Sequence, residues 1–442
     1  MRVHACGLLT VLLSFQVTRP ASAQEVDPHI QAALAAVSPE RLAATIETLT
    51  SFGTRHLMSS QEDGARGIGA AAQWIHDEFT RASPRLQVGF DDYQIPAQGE
   101  RVTREVRVRN VMAVLPGRSA RRLYVSGHYD SLARAPAPAA TGGFDWTAGD
   151  NPAPGANDDG SGTALVMEAA RVLAQSGLEF DATLVFIAFA GEEQGLIGAH
   201  LHAQRALADK TRIDAVFNSD IIGNVEGGNG VVDAESLRVF SEGPEDSPSR
   251  QVARYIQRQG QLYLPSHRVR LIARHDRFGR GGDHTAFNQR GYAGVRFSEA
   301  NEHYGRQHVV QDTPDGVDAA YLARNTRINV AAVAALALAP AAPAVTTPRG
   351  APTLDRQPSG YDARLRWVAV DGAVAYRVVW REAWTPDWQV ERRVGTVTEL
   401  VLPDVLIDDH VFGVAAIGPR GHESLVSAYV NPPRAPVEIT VK

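Results

Sequence analysis

TLVFIAFAGEEQG, residues 183–195, is the stretch from which the rest of the chain can be read. It opens as an unbroken run of β-branched, aromatic and aliphatic residues, then steps through Ala190-Gly191 to two adjacent carboxylates, Glu192 and Glu193. A continuous apolar run is the pattern of a strand covered on both faces, as in a parallel sheet between helices. An acidic pair alone is ordinarily solvated surface. Held just past the carboxyl end of such a strand, it faces the crevice where open α/β sheets bind their ligands.

Outward from this strand, the apolar spacing predicts helices over 161–174 and 196–207, then strands over 215–219, 268–273 and 294–298 with a helix over 249–259 between them. A helix over 317–338 closes the series. Earlier, 38–50 and 64–82 have helical spacing, and 103–114 and 121–126 read as strands. Repeated alternation of strand and helix predicts a three-layer α/β/α domain with a mainly parallel central sheet. The Ala-, Pro- and Gly-rich insertion 132–153 is long for an internal loop, a length typical of functional rims and lids.

The chain has 442 residues, too many for one ordinary core. Its start, MRVHACGLLTVLLSFQVTRPASAQ, has a basic residue, a short apolar run and a small-x-small triplet. That layout predicts a signal peptide over 1–23, cut before Gln24, and a secreted or periplasmic mature protein. No segment is long and apolar enough for a membrane span. The α/β region would occupy 24–338. Residues 339–352, APAAPAVTTPRGAP, read as a semi-rigid linker. Beyond them, short alternating strands over 363–368, 375–381 and 410–417 predict a β-sandwich over 353–442.

A formal charge of -6 with no basic stripe excludes any evident nucleic-acid or anionic-membrane surface. Cys6 is the only cysteine and would leave with the signal, so any metal must be held by His, Asp and Glu. Such residues recur where strands end or helices begin. GHYDS carries His128 and Asp130, PGANDDGSG carries Asp158 and Asp159, Asp220 follows the 215–219 strand, and His308 lies beyond the 294–298 strand. Two histidines with at least three carboxylates suit zinc, and on ligand type also admit manganese or cobalt.

The ordered set GHYDS, PGANDDGSG, AGEEQG, NSD and QHVVQDT resembles the di-zinc aminopeptidase family, which includes secreted bacterial leucyl-type aminopeptidases, plasma glutamate carboxypeptidase and, more distantly, glutaminyl cyclases. The resemblance covers roughly residues 40–340. It implies two zinc ions per chain bridged by Asp158, with His128 and Asp220 completing one site and Glu193 and His308 the other. It further implies that Asp130 orients the His128 ring, that Glu192 is the general base, and that the Asp158–Asp159 peptide bond is cis. The C-terminal segment, with Trp367 and the Tyr376-to-Trp380 strand, resembles a fibronectin type III domain.

Two metals about 3.5 to 4 Å apart can activate a water as hydroxide and polarise a scissile carbonyl. A neighbouring Glu can move the proton from that water to the departing amine. Glu192 cannot do this while also ligating, which accounts for the pair. The expected activity is hydrolysis of N-terminal residues from peptide substrates, with surface or polymer contact through the C-terminal domain. A carboxypeptidase or dipeptidase on the same core, a glutaminyl cyclase and an inactive binding protein are the alternatives. Glu299, Glu302, Arg296 and Arg306 offer both signs of charge for capturing a substrate terminus; Asp283 and His284 in GGDHTAF resemble a family segment that lines the substrate pocket and read equally as a capped helix start, and Tyr304 and Asp312 lie close to His308 in sequence.

Overall fold

The structure, a computed structural model, describes residues 25–134, 146–147 and 149–431. The expected signal peptide and most of the 132–153 insertion therefore lie outside the described residues. The chain runs α1 (Pro28–Ala35), α2 (Pro39–Ser51), α3 (Gly67–Ala82), β1 (Gln87–Ile95), β2 (Val106–Leu115), β3 (Arg122–His128), α4 (Gly160–Gln175) and β4 (Thr183–Phe189). It continues with α5 (Ile197–Ala208), β5 (Ile213–Ser219), β6 (Ser236–Ser241), α6 (Pro248–Tyr263), β7 (Arg268–Ile272), α7 (His284–Asn288), β8 (Gly294–Glu299) and α8 (Ala319–Leu338).

These strands form one eight-stranded sheet in the order β1-β2-β4-β3-β5-β8-β6-β7. The central four, β4, β3, β5 and β8, are mutually parallel, while β2 joins β4 and β6 joins β8 antiparallel. The sheet is mainly parallel and covered on both faces, as the apolar runs predict. β4 shows why. The pleat sends Leu184, Phe186 and Ala188 into the core beneath α2, α4 and α8, and Val185, Ile187 and Phe189 into a second core with α5 and α7. Both sets are fully buried, so no polar alternation is tolerated. α8 is apolar on nearly every side, as a helix enclosed by neighbours must be.

Some elements were not anticipated, or only in part. α1 precedes the first expected helix, α7 is a short helix ahead of β8 of which GGDHTAF marks only a start, and β1 and β6 extend the sheet. β1, QVGFDDYQI, is a polar edge strand whose residues are mostly only half-buried or exposed, so it lacks the apolar run that marks the central strands.

The C-terminal region contributes β9 (Leu354–Arg356), β10 (Ala363–Arg366), β11 (Ala375–Glu382), β12 (Val390–Val394), β13 (Glu399–Leu402), β14 (His410–Ile417) and β15 (Ser427–Ala428). They make two antiparallel sheets, β13-β10-β9 and β12-β11-β14-β15, around a core that includes Leu365, Trp367, Tyr376, Val378, Trp380, Phe412 and Val414. The 339–352 segment is anchored at both ends: Ala339 O accepts from Arg121, Val368 N donates to Ala344 O, and Val345 is buried in the sandwich core.

The two domains pack through charged and polar contacts. β11 turns Tyr376, Val378 and Trp380 into its own core and uses Arg377 and Arg381 outside it. Arg381 pairs with Asp246, Arg258 lies 3.1 Å from Glu391, and Trp388 Nε1 donates to Gln251 Oε1 across 3.3 Å. At the other end of the interface Asp27, which caps α1, accepts from Arg420 at 2.6 Å and lies 3.0 Å from His422 Nε2, while its own N–H donates to Tyr263 Oη. No helix among the described residues is long and apolar enough to cross a membrane.

Candidate metal centre

The parallel strands β3, β4, β5 and β8 deliver their carboxyl ends to one edge. In the ladder His128, the last residue of β3, pairs with Phe189, the last of β4. Gly191 then turns with φ of +74°, a conformation glycine adopts without strain, and brings Glu192 and Glu193 back toward His128. Asp220 follows β5, Asp158 sits in the turn before α4, and His308 comes from the loop after β8. The Asp158–Asp159 peptide bond is cis, as the resemblance implies.

The side chains form two groups that meet at Asp158. His128 Nε2 lies 3.3 Å from Asp158 Oδ1, 3.8 Å from Asp220 Oδ1 and 4.0 Å from Glu192 Oε2. His308 Nε2 lies 3.0 Å from Asp158 Oδ2 and 3.1 Å from Glu193 Oε2. Ligand atoms about 2.0 to 2.1 Å from one tetrahedral ion stand roughly 3.3 Å apart, which is the spacing seen in both groups. His128 Nε2, Asp158 Oδ2, Glu193 Oε1 and Asp220 Oδ1 are buried without a hydrogen-bond partner. Buried polar atoms are normally satisfied, so the donor set fits a pair of divalent ions. Asp159 lies within ligand range of His128 and Asp220 too. Its oxygens, however, accept from the backbone N–H groups of Gly162 at 2.8 Å and His128 at 3.1 Å, which makes it the cap of α4, while Asp158 is the carboxylate that touches both groups.

Several residues hold these ligands in place. His128 Nδ1 is 3.1 Å from the Asp130 carbonyl and 3.6 Å from its carboxylate. That carboxylate accepts from the backbone N–H groups of Glu192 at 3.1 Å and Glu193 at 3.2 Å, so Asp130 also ties the two glutamates to β3. Asp312 accepts from the N–H groups of Asn157 and Asp158, both at 2.9 Å, joining the His308 loop to the Asp158 turn. Arg55, fully buried, donates to the carbonyls of Tyr129, Pro154 and Gly155 and braces the same turn from the other side. Gly162 permits close packing here: a Cβ would sit 2.2 Å from Ser219 O and 2.3 Å from Asp159 Oδ2.

Negative charge dominates. Burial, reinforced by Asp220, Glu193 and Asp283, pushes the Glu192 carboxyl well up, and burial also raises Glu193. His128, although burial opposes it, is raised well above the usual range by Glu192, Asp130, Asp158 and Asp220. His308, against the same opposition, is raised to about 11 by Glu193 and Asp158. Asp283 is pushed up to about 8 by burial and by Asp130 and Asp220, and neither of its oxygens has a hydrogen-bond partner. A divalent pair would neutralise this excess.

Of the charges considered for capturing a substrate terminus, three are buried and engaged within the protein. Arg296 lies 3.0 Å from Asp220 and 3.3 Å from Asp276. Glu299 accepts from Asn157 and from the Asn224 N–H. Glu302 is enclosed by Arg238, Arg277 and Gln307. Arg306 pairs with Asp315 and lines a small cavity with Asn157, Asp158 and Asp312. His284 is buried against Asp276, and Tyr304 is largely exposed. Away from this edge, His202 lies 2.7 Å from Asp91 and His267 lies 2.7 Å from Asn325. Arg55 was missed because nothing in SFGTRH distinguishes it from a surface arginine.

A model described as Peptidase family M28 matches residues 110–333. A "probable zinc metalloprotease" of Pyricularia oryzae is 37% identical over 444 residues, covering 91% of this chain and 84% of that protein. That coverage is too broad to omit the C-terminal region. The LapA aminopeptidase of Legionella pneumophila shares the fold with a TM-score of 0.54 at 20% identity, covering 73% of this chain and 79% of its own. A glutaminyl cyclase of Fimbriiglobus ruber does so with a TM-score of 0.51 at 19% identity, over 72% of this chain and 99% of its own.

Proposed function

The chain belongs to peptidase family M28 and is a zinc-dependent metallopeptidase, and from that premise we propose that it is a secreted exopeptidase that holds two zinc ions and removes N-terminal residues from peptides. The observation that carries the two-ion reading is the pair of donor groups sharing Asp158, each spaced as ligand atoms on one ion are spaced. His128, Asp158 and Asp220 would hold one ion, and Asp158, Glu193 and His308 the other. Zinc held there supplies Lewis acidity toward a substrate carbonyl and lowers the pKa of water toward neutrality.

The protein's residues do the rest. Glu192, its backbone anchored on Asp130 and its carboxylate 4.0 Å from His128, takes a proton from the attacking water and delivers it to the departing amine. Asp130 holds both glutamates, so the base and its ligating neighbour keep a fixed separation. What favours the amino end of a peptide is the charge of the pocket. Asp283 is buried with neither oxygen hydrogen-bonded, and a substrate ammonium beside it would hold it in its charged form, whereas Arg296, the buried cation at the centre, is already paired twice.

The leader over 1–23 supports secretion. The three-plus-four antiparallel strands of the C-terminal domain support its reading as fibronectin type III-like. A mixed library of peptides with free and blocked termini, incubated with zinc-loaded protein with and without chelator and read by mass spectrometry, tests the activity. Chelator-sensitive loss of residues from free N-termini is expected. Shortening from the C-terminus, or loss of ammonia from N-terminal glutamine, would replace the aminopeptidase reading by a carboxypeptidase or a cyclase.

A further inference from the structure

The two domains enclose a second cavity that shares no residue with the metal-ligand set. Between α6 and the β11–β12 hairpin lies a cleft of about 650 Å³, walled by Gln251, Tyr255, Gln257 and Gln261 of α6 and by Trp388 of the sandwich. Its volume falls within the range of sites for small organic ligands. A cavity of about 290 Å³ lies beside it, and Arg254, Gln257 and Asp387 line both.

The chemistry of the wall narrows what could occupy it. Its cations are paired within the protein. Arg258 lies 3.1 Å from Glu391, Arg377 lies 2.8 Å from Glu423, and Arg254 is held by Glu245 and by the Pro386 carbonyl. An anionic ligand would have to displace those carboxylates. Apart from the exposed Asp387 carboxylate, the groups left over are neutral. Gln251 and Tyr255 are 3% and 5% exposed, yet Gln251 Nε2 and Tyr255 Oη have no hydrogen-bond partner. Such orphans are rare in a buried wall and mark one side of an interaction still to be completed. Beside them stands Trp388, whose Nε1 donates to Gln251 Oε1 and whose ring lies 5.9 and 5.6 Å from the guanidinium groups of Arg254 and Arg381.

We propose that this interdomain cleft is a binding site for a neutral oligosaccharide. A pyranose ring offers an apolar C–H face that can lie on Trp388. Its hydroxyls, each both donor and acceptor, match the mixed amide and phenol groups of Gln251, Gln257, Gln261 and Tyr255. The site would tether the peptidase to a glycan surface without using its metals. Because both domains build the wall, the sandwich alone would not form it.

The test is isothermal titration of the full-length mature protein with cellotriose, chitotriose and maltotriose, alongside a sialylated trisaccharide and a peptide blocked at both ends. Saturable binding of at least one neutral trisaccharide is expected. Gln261→Ala, at an exposed helix position, should weaken it about tenfold, the size of one hydrogen bond. Trp388→Ala should abolish it, with peptide hydrolysis unchanged in both variants. Tyr255→Phe should weaken the sugar while leaving the thermal midpoint the same or higher, because the hydroxyl it removes has no partner in the protein. The proposal is overturned if none of the three neutral sugars binds, if the anionic sugar or the blocked peptide binds more tightly, or if these variants leave sugar binding intact.

Discussion

Replacing Glu302 with Gln probes how the loop bearing His308 is held. The Glu302 side chain is fully buried, 2.5 Å from Arg238, 3.0 Å from Arg277 and 3.8 Å from Arg280, and it accepts from Gln307 at 2.9 Å. Burial alone would raise its pKa, but Arg277, Arg296 and Arg238 pull it down, so it is ionised at neutral pH. Glu302→Gln keeps the shape and removes the charge, leaving Arg277, itself only 6% exposed, without its counter-ion at this end. Stranding one partner of a buried pair costs about 3 to 5 kcal/mol. Arg238 is 18% exposed and can recover some hydration, which puts the expected loss near the lower figure, about 3 kcal/mol. Urea unfolding of zinc-depleted protein followed by circular dichroism measures it, and metal analysis after dialysis reports whether the His308 side retains its ion. Adding Arg277→Met should recover at least about 1 kcal/mol, because cation and anion are then removed together. A loss below about 1 kcal/mol, or a double variant no more stable than Glu302→Gln, would refute this account.

Three further outcomes are expected. Glu192→Gln should lower kcat by roughly 10² to 10⁴, the usual worth of a general base, with the zinc content by mass spectrometry unchanged; a variant that loses zinc would instead make Glu192 a ligand. Gly162→Ala forces a methyl group to 2.2 Å from Ser219 O, and overpacking of this kind costs about 1 to 3 kcal/mol, seen as a lower thermal midpoint together with weaker zinc retention. Asp27 is brought down to about 2 by Arg420, the His29 N–H and His422, although burial opposes them. A carboxylate with a depressed pKa stabilises above its unfolded value of about 3.9 and ceases to do so as the pH falls through its folded value. Asp27→Asn should therefore cost about 1 to 2 kcal/mol at pH 7, allowing for screening at the interface rim, and close to nothing near pH 2. An equal loss at both pH values would show that packing, and not charge, is what the substitution removes.

The central strands and the strand-end donors could be read from the sequence because their causes are local. A strand covered on both faces admits no polar residue, so TLVFIAF declares itself, and a carboxylate or imidazole immediately after such a run is placed by the sheet. The supporting residues had no comparable signal. Arg55 acts on carbonyls 74 to 100 residues away, and Asp312 acts on the Asp158 turn from 154 residues away; nothing near either residue in sequence reveals its partner. Glu299, Glu302 and Arg296 looked available to substrate because charge is normally exposed, and only the three-dimensional pairing shows them enclosed. β1 escaped notice for a related reason: an edge strand carries no burial requirement along most of its length.

The contact between Asp27 and the C-terminal domain bears on self-digestion. Under the activity proposed above, each copy of the chain is a potential substrate for every other. Trimming requires a few residues to be drawn out and threaded, and at Asp27 the backbone N–H is engaged by Tyr263 while the carboxylate is engaged by Arg420 and His422. Continuing past Asp27 means first breaking these contacts together with the cap it provides to α1. By holding Asp27, the C-terminal sandwich thus sets a barrier to trimming at the entrance to α1.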